Sequence, residues 1–380
     1  MLKAVAGRVL KSLDAVRRAA YPAPTDDAIL LMRYSNALGV VVHDTPVEQA
    51  LKEANPSVKI IVASNGLGAD AARFSPFVDF VIRTPDPFKD AAGAMRALRR
   101  KLKDAGVHPT AVVTTQGNQR TVLALLASAV TPARRYGFTQ FADAYASALS
   151  CNIRESHIEN NLRIAAQFGA HAKQMEPGIY FDVMSLEKAH EFLQQSNEDA
   201  RPTVAMVVET SRGQKTNWHP ERFHAVTEAV MQRGFRPVFL GTQQNVESIE
   251  DLRRELPEGS VSLAGKTDVP TLAAVLALCD ACITLDTGTM HVARSVDLPL
   301  VVLGPCWQKP VEWMPLTKQN ARILRGQDCE QVPENYLLDE IEVADVLSAF
   351  DDLMAQYPPN AKEKERRVER RLSSVFPVVL

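Results

Sequence analysis

An α/β fold in two halves, each built on a parallel sheet, is what the sequence predicts, and three observations lead to it. The chain has 380 residues, 46% of them hydrophobic, too long for one ordinary domain and apolar enough to fill two cores. Short apolar runs alternate with helical patterns, which is how strands covered on both faces read. A polar stretch at Ser185–Arg201 separates two such alternating sets and marks a domain boundary.

Residues 2–20 come first, with Leu2, Val5, Val9, Leu13 and Val16 at helical spacing and five cations against the single acid Asp14. This is a basic amphipathic helix. It suits packing on its own protein or contact with a membrane surface. In the first set, strands are predicted at Ala28–Arg33, Val58–Ala63, Val78–Arg83 and Ala111–Thr115. Helices are predicted at Val40–Ala54, Asp90–Ala105, Arg120–Ala129 and Ile153–Gly169. In the second set, strands fall at Thr203–Val208, Pro237–Leu240, Val261–Leu263, Ala281–Leu285 and Leu300–Leu303. Its helices fall at Glu221–Arg233, Val246–Glu255, Val269–Leu278 and Met290–Val296. The charged run Ala361–Arg371 reads as a solvated helix or tail with no specific partner. The domains expected are residues 1–26, the amino-terminal helix; 27–190 and 200–345, two Rossmann-like domains; and 346–380, a helix and charged tail.

Several classes are excluded. Charged residues make up 23% and the formal net charge is −2, unlike the basic balance of a nucleic-acid binder. No apolar run reaches the roughly 18–20 residues that span a bilayer, and charges interrupt any secretory signal. Five cysteines, an odd number, argue for a reducing compartment, so a cytoplasmic location is expected. Cys279 and Cys282 form a lone C-x-x-C where a helix runs into a buried strand, and are expected as core residues. There is no paired-histidine motif and no nucleophile elbow. Neither a metal site nor a cofactor is expected.

Three loops after strands carry the chemistry. Asp286-Thr287-Gly288-Thr289-Met290-His291 lies between a buried strand and a short helix, where open α/β sheets bind ligands. Its backbone N–H groups would open that helix and favour phosphate oxygens. The alternative is an ordinary cap at Asp286 and Thr287. Thr210-Ser211-Arg212-Gly213-Gln214-Lys215 follows the first strand of the same half, offering hydroxyls, a glycine and a cation. Two such loops favour a diphosphate ligand. Arg33-Tyr34-Ser35-Asn36-Ala37-Leu38-Gly39 is the third, past the first strand of the amino-terminal half. Gly241, Gln243 and Asn245 follow a strand where nucleotide ribose or base would be contacted.

The run from Leu263 to Pro315 resembles the carboxyl-terminal signature of glycosyltransferase family 9, the bacterial heptosyltransferases. The matching pieces are Leu263-Ala264-Gly265-Lys266-Thr267, Asp286-Thr287-Gly288 with Met290-His291, and Gly304-Pro305. Thr210-Ser211 with Lys215, Trp218 and Pro220 looks like the family's phosphate loop. Arg33 to Pro46, and His157 with Asn161-Leu162-Arg163, are similar to its amino-terminal pieces. The resemblance covers roughly residues 27–345 and is most specific in the carboxyl half. It implies a GT-B fold, two Rossmann-like domains with parallel sheets facing across a cleft. It also implies inverting, metal-independent transfer from a nucleotide-diphosphate sugar, typically ADP-heptose. The acceptor implied is a glycan such as the lipopolysaccharide core, with peripheral contact at the inner membrane. Carried over by position, Lys215 and the Asp286–Thr289 backbone hold the diphosphate, Thr210 and Ser211 assist, and His291 lines the donor pocket. Arg33, Ser35, Asn36 and Gly39 line the cleft.

One departure stands out. The family has Gly-Asp at the start of its first helix, the acid being its general base, whereas this chain has Gly39-Val40. A valine cannot take a proton from an acceptor hydroxyl. Asp44, one helical turn on, and His43 are the substitutes expected from spacing. The rival expectation is a nucleotide-sugar-binding protein with impaired catalysis. A third is another enzyme of the same fold, such as an epimerase.

Overall fold

The computed structural model describes residue 12 and residues 27–130, 133–172, 175–194, 200–210 and 215–380. Apart from Ser12, the predicted amino-terminal helix lies outside the described residues, as does Ser211. The chain forms two compact units, Met1–Tyr180 with Ser373–Leu380, and Phe181–Leu372.

The first unit holds strands β1 (Ala28–Met32), β2 (Lys59–Ser64), β3 (Phe80–Arg83), β4 (Ala111–Thr114), β5 (Arg134–Phe138) and β6 (Ser147–Leu149), and α-helices α1 (Leu38–Ala54), α2 (Leu67–Ala72), α3 (Ala91–Asp104), α4 (Thr121–Ala129) and α5 (His157–Ala166). The second holds α6 (Val183–Gln194), β7 (Thr203–Val207), α7 (Pro220–Gln232), β8 (Arg236–Phe239), α8 (Val246–Arg254), β9 (Val261–Ser262), α9 (Val269–Leu278), β10 (Ala281–Leu285), α10 (Gly288–Ser295), β11 (Leu300–Leu303), α11 (Pro310–Trp313), β12 (Ala321–Leu324), α12 (Val343–Gln356) and α13 (Ala361–Arg371). A last strand, β13 (Val378–Val379), returns to the edge of the first sheet beside β3.

Among the described residues every strand pairing is parallel, in the order β13-β3-β2-β1-β4-β5-β6 and, in the second unit, β12-β11-β10-β7-β8-β9. The strand order therefore reverses between β1 and β4 in one sheet and between β7 and β10 in the other. At such switch points adjacent connections leave to opposite faces and open a crevice at the carboxyl ends. Ala28, Leu30 and Met32 of β1 face a core shared with α3 and α4, while Ile29 and Leu31 face one shared with α1 and α5. Alternate side chains thus serve opposite faces of a doubly covered sheet.

The structure adds elements that the sequence did not predict, among them α2, β5, β6 and β12, and corrects three of the predicted readings. The long helix expected over Ile153–Gly169 starts only at His157, because the Ser156 hydroxyl and the Glu159 carboxylate cap one another's backbone N–H groups. α6, which occupies much of the expected boundary stretch Ser185–Arg201, belongs to the second unit and packs against α9. α13 is not a free solvated helix. Arg367 is buried, donating to the carbonyls of Ala277 and Cys279 at the end of α9, and Lys364 pairs with Asp280 at 2.7 Å. Those carbonyls have no helical partners of their own, so a guanidinium satisfies them. Cys279 and Cys282 are buried, and burial pushes both thiols up, Cys279 to about 11. They are core residues, as expected.

Candidate active site

Each switch point carries a polar cluster. In the second unit it starts from β10, whose five residues are all buried. The chain leaves it at Asp286, and the Thr287 hydroxyl caps α10 by accepting from Met290 N–H at 3.4 Å. Gly288 and Thr289 occupy the first turn, where N–H groups lack intrahelical partners and attract anions. The Asp286 side chain is only 8% exposed, and burial raises its pKa to about 6. His291 Nε2 stands 3.8 Å from Asp286 Oδ1, and its ring packs edge-on to Trp313. The Gln308 amide joins them in the orientation that satisfies both its atoms, donating to Asp286 Oδ2 at 2.9 Å and accepting from Trp313 Nε1 at 3.0 Å.

Thr210 lies three residues past β7, near the start of the connection to α7. Its N–H and hydroxyl donate to Asn217 Oδ1 at 2.8 and 2.7 Å, and Thr216 donates to the Thr210 hydroxyl at 3.2 Å. Lys215 is seated by its backbone and by its ammonium. Trp307 Nε1 donates to the Lys215 carbonyl at 2.9 Å, while Lys215 Nζ donates to the carbonyls of Val332 and Pro333 at 3.4 and 3.0 Å. The expected diphosphate residues Thr210, Lys215, Asp286, Thr287, Gly288, Thr289 and His291 thus share the carboxyl edge of one sheet.

Beyond β8, Gly241 accepts from Gly265 N–H at 3.0 Å, and Gln243 is exposed. Asn245 differs from the expectation of a residue free to read ribose or base. Its Oδ1 accepts from the Thr242 N–H and hydroxyl, and its Nδ2 donates to Glu209 Oε2 at 2.9 Å. Its side chain is committed to holding Glu209, which sits at the carboxyl end of β7.

In the first unit the cluster is buried. Arg33 donates from Nη2 to Glu48 Oε2 at 2.7 Å, and its Nε lies 4.0 Å from Asp44 Oδ2. Asp44 Oδ2 accepts from the Thr115 hydroxyl at 2.9 Å and Asn118 Nδ2 at 3.3 Å, and Oδ1 accepts from Asn161 Nδ2 at 2.9 Å. Asn118 and Asn161 accept in turn from the N–H groups of Tyr34 and Gln116. One carboxylate therefore ties the connections after β1 and β4 to helices α1 and α5. Burial, only partly offset by Arg33, raises Asp44 to about 7, and burial lowers His157 to about 3. A neutral His157 Nδ1 accepts from Asn161 Nδ2 at 3.1 Å. Even the proline inside α1 is accommodated. Pro46 has no N–H for the Val42 carbonyl, and the Thr45 hydroxyl donates to it instead at 2.8 Å.

Both expected bases are sealed in this geometry. Asp44 and His43 are each 0% exposed, and both Asp44 oxygens are engaged by protein donors. An acceptor hydroxyl does not reach either residue in this conformation. The physical reason is the i+4 spacing itself. One turn below Val40 lies the underside of the helix start, which faces α5 and the β4 connection. Val40 is half-exposed and packed on Gly117, where a Cβ would collide with Val40 Cγ1. Arg33 is also buried, and Gly39 is part of α1, leaving half-buried Ser35 and exposed Asn36 at the surface of this loop. Thr115, Asn118, Glu48 and Gln308 were not singled out from sequence. Thr115 and Asn118 flank Gln116-Gly117 directly after a predicted strand, and that position was the available signal.

Two doubly wound parallel sheets, each with a polar cluster at its switch point, define the class of protein: α/β, of the GT-B type. The family model "glycosyltransferase family 9 (heptosyltransferase)" matches residues 95–336, and the chain belongs to that family. It is 28% identical over 130 residues to lipooligosaccharide heptosyltransferase 2 of Haemophilus influenzae, covering 33% of this chain and 37% of that protein. It is 26% identical over 144 residues to lipopolysaccharide heptosyltransferase 2 of Escherichia coli, covering 37% and 40%. The chain thus matches about two fifths of the length of these curated relatives. Among solved structures, a family 9 glycosyltransferase from Veillonella parvula superposes with a TM-score of 0.77 at 20% identity, covering 87% of this chain and 98% of that one. The E. coli ADP-heptose lipopolysaccharide heptosyltransferase II gives 0.72 at 18%, covering 87% and 99%. At these identities the structures speak to the fold. Among the described residues, no helix is long and apolar enough to cross a membrane, and no group of three or more His, Cys, Asp or Glu side chains is placed to hold a metal ion.

Proposed function

We propose that this chain transfers a sugar, a heptose, from ADP-heptose to a glycan acceptor of the lipopolysaccharide-core type, with inversion and without a metal ion. The observation that carries this is the Asp286–His291 loop at the β7/β10 switch point of a family 9 chain. There the α10 amino terminus and Lys215 offer a leaving diphosphate fixed positive charge, which is what a divalent cation supplies elsewhere. The second unit binds the donor in this reading, and the first presents the acceptor. Relatives named as heptosyltransferases support the sugar, and a neighbouring E. coli heptosyltransferase described with ADP-2-deoxy-2-fluoro heptose supports the nucleotide.

A thermal-shift panel of nucleoside diphosphates and their sugars tests the donor. A ligand at about 100 times its Kd adds about 2.7 kcal/mol. ADP and ADP-heptose are expected to raise the melting temperature above uridine and guanosine counterparts. Equal or absent shifts contradict the donor assignment.

A second reading, nucleotide-sugar binding with impaired transfer, rests on one observation. The first turn of α1 carries no acid, position 40 is a valine, and the nearest carboxylate, Asp44, is sealed. Binding without release of ADP under any acceptor would favour it.

The proposed location is cytoplasmic and peripheral at the inner membrane, with the basic amphipathic stretch 2–20 as the contact. Deleting residues 1–20 is expected to lower co-sedimentation with anionic liposomes while leaving thermal unfolding unchanged. Undiminished co-sedimentation would return that stretch to packing on its own protein.

A further inference from the structure

Two of the cysteines meet. Cys306 lies in the loop after β11, and Cys329 in the irregular segment after β12. The Cys329 N–H donates to the Cys306 carbonyl at 3.2 Å, and the Cys306 side chain is near enough to raise the Cys329 thiol. Arg325 fixes this pairing. Its Nη2 donates to the carbonyls of Pro305, Cys306 and Gln308 at 3.3, 3.0 and 3.0 Å. A disulfide asks for Cα atoms about 4.4–6.8 Å apart with side chains facing. The backbone hydrogen bond brings the two residues side by side, the approach such a bond needs. Cys329 is half-buried and Cys306 only 8% exposed, so a solute reaches Cys329 first.

We propose that Cys306 and Cys329 form an oxidation site that closes to a disulfide with a hydroperoxide as oxidant. The Cys329 sulfur attacks the peroxide oxygen, giving a sulfenic acid and releasing water or an alcohol. The Cys306 sulfur then attacks the sulfenic sulfur, forming the S–S bond and releasing a second molecule as water. The two thiols lose two electrons and two protons, and the peroxide takes them up.

The segments such a bond would fasten are those that seat Lys215. Trp307, next to Cys306, holds the Lys215 carbonyl, and Val332 and Pro333, just past Cys329, accept from its ammonium. The neighbouring Cys306 side chain and burial, with the Glu340 carboxylate adding to them and Arg325 opposing, push the Cys329 thiol up to about 11. Thiolate is scarce at neutral pH, so closure is slow there and accelerates about tenfold per pH unit.

The test is hydrogen peroxide on the folded full-length chain, followed by alkylation, digestion and peptide mass spectrometry. The expected result is a Cys306–Cys329 linked peptide lighter by two hydrogens, reversed by dithiothreitol and forming about tenfold faster per unit between pH 7 and 9. It is absent from C306S and C329S. Amide hydrogen exchange over residues 326–336 is expected to slow on closure. The proposal is overturned if Cys306 and Cys329 both remain alkylatable after the exposed Cys151 is fully oxidised. It is equally overturned if Cys329 proceeds to sulfinic acid with Cys306 still free. Because the linkage is mapped in the wild-type chain, the outcome does not depend on the variants folding.

Discussion

The Asp44→Asn protein is expected to lose a fall in unfolding free energy that the wild type shows between about pH 4 and pH 7. Asp44 is raised from 3.8 to about 7 in the folded chain, chiefly by burial. Between those values the folded state binds the proton that the unfolded state has released. Stability therefore declines as pH rises through this window and levels off above it. The full difference is on the order of 4 kcal/mol. His157 acts with the opposite sign. Its folded pKa is lowered to about 3, so the unfolded state binds the extra proton below about 6.5, and stability is lost as pH falls. The two slopes oppose one another in the wild type, and asparagine at position 44 removes the first, leaving His157 opposed by the smaller same-sign contribution of Asp286, raised to about 6. The substitution also turns one amide N–H toward the donors of Thr115, Asn118 or Asn161, at a roughly pH-independent cost of about 1–3 kcal/mol. Denaturant unfolding of both proteins from pH 4 to 8 checks this. Parallel pH profiles would show that Asp44 titrates as an ordinary carboxyl and that its burial is not maintained in solution.

Lys215→Ala is expected to fold and to bind ADP about ten- to a hundredfold more weakly. A charge-assisted contact to phosphate is worth roughly 1.5–3 kcal/mol, and Lys215 stands on the β7 connection beside the switch point that carries Asp286. Its ammonium rests on the Val332 and Pro333 carbonyls, neutral acceptors that a diphosphate would outcompete. Isothermal titration with ADP measures the effect. A lower melting temperature with an unchanged Kd would make Lys215 a tie for the 332–333 segment and remove it from the phosphate site.

Much of the second unit was legible. Val269–Leu278, Ala281–Leu285 and Leu300–Leu303 coincide with α9, β10 and β11, because fully buried elements read as uninterrupted apolar runs bounded by turn residues. The Asp286–His291 loop was legible for the same reason, since a polar group with a glycine directly after such a run has few places to go. The first unit's cluster was not. Asp44 sits on α1 at a spacing that suggested reach toward a substrate, and its partners Asn118 and Asn161 lie 74 and 117 residues away in the chain. Nothing local shows that both asparagines turn inward. α13 failed likewise. AKEKERRVERR is polar all round, and only the open carbonyls at the end of α9 explain why Arg367 is buried.

Mass spectrometry of a lipopolysaccharide-core acceptor incubated with ADP-heptose and this chain, in the presence of EDTA, tests the proposed transfer most directly. The expected product is the acceptor heavier by one heptose, with one ADP released for each sugar added and no response to magnesium. An acceptor of unchanged mass, with ADP-heptose bound but intact, contradicts transfer and leaves a protein that holds the nucleotide sugar without using it.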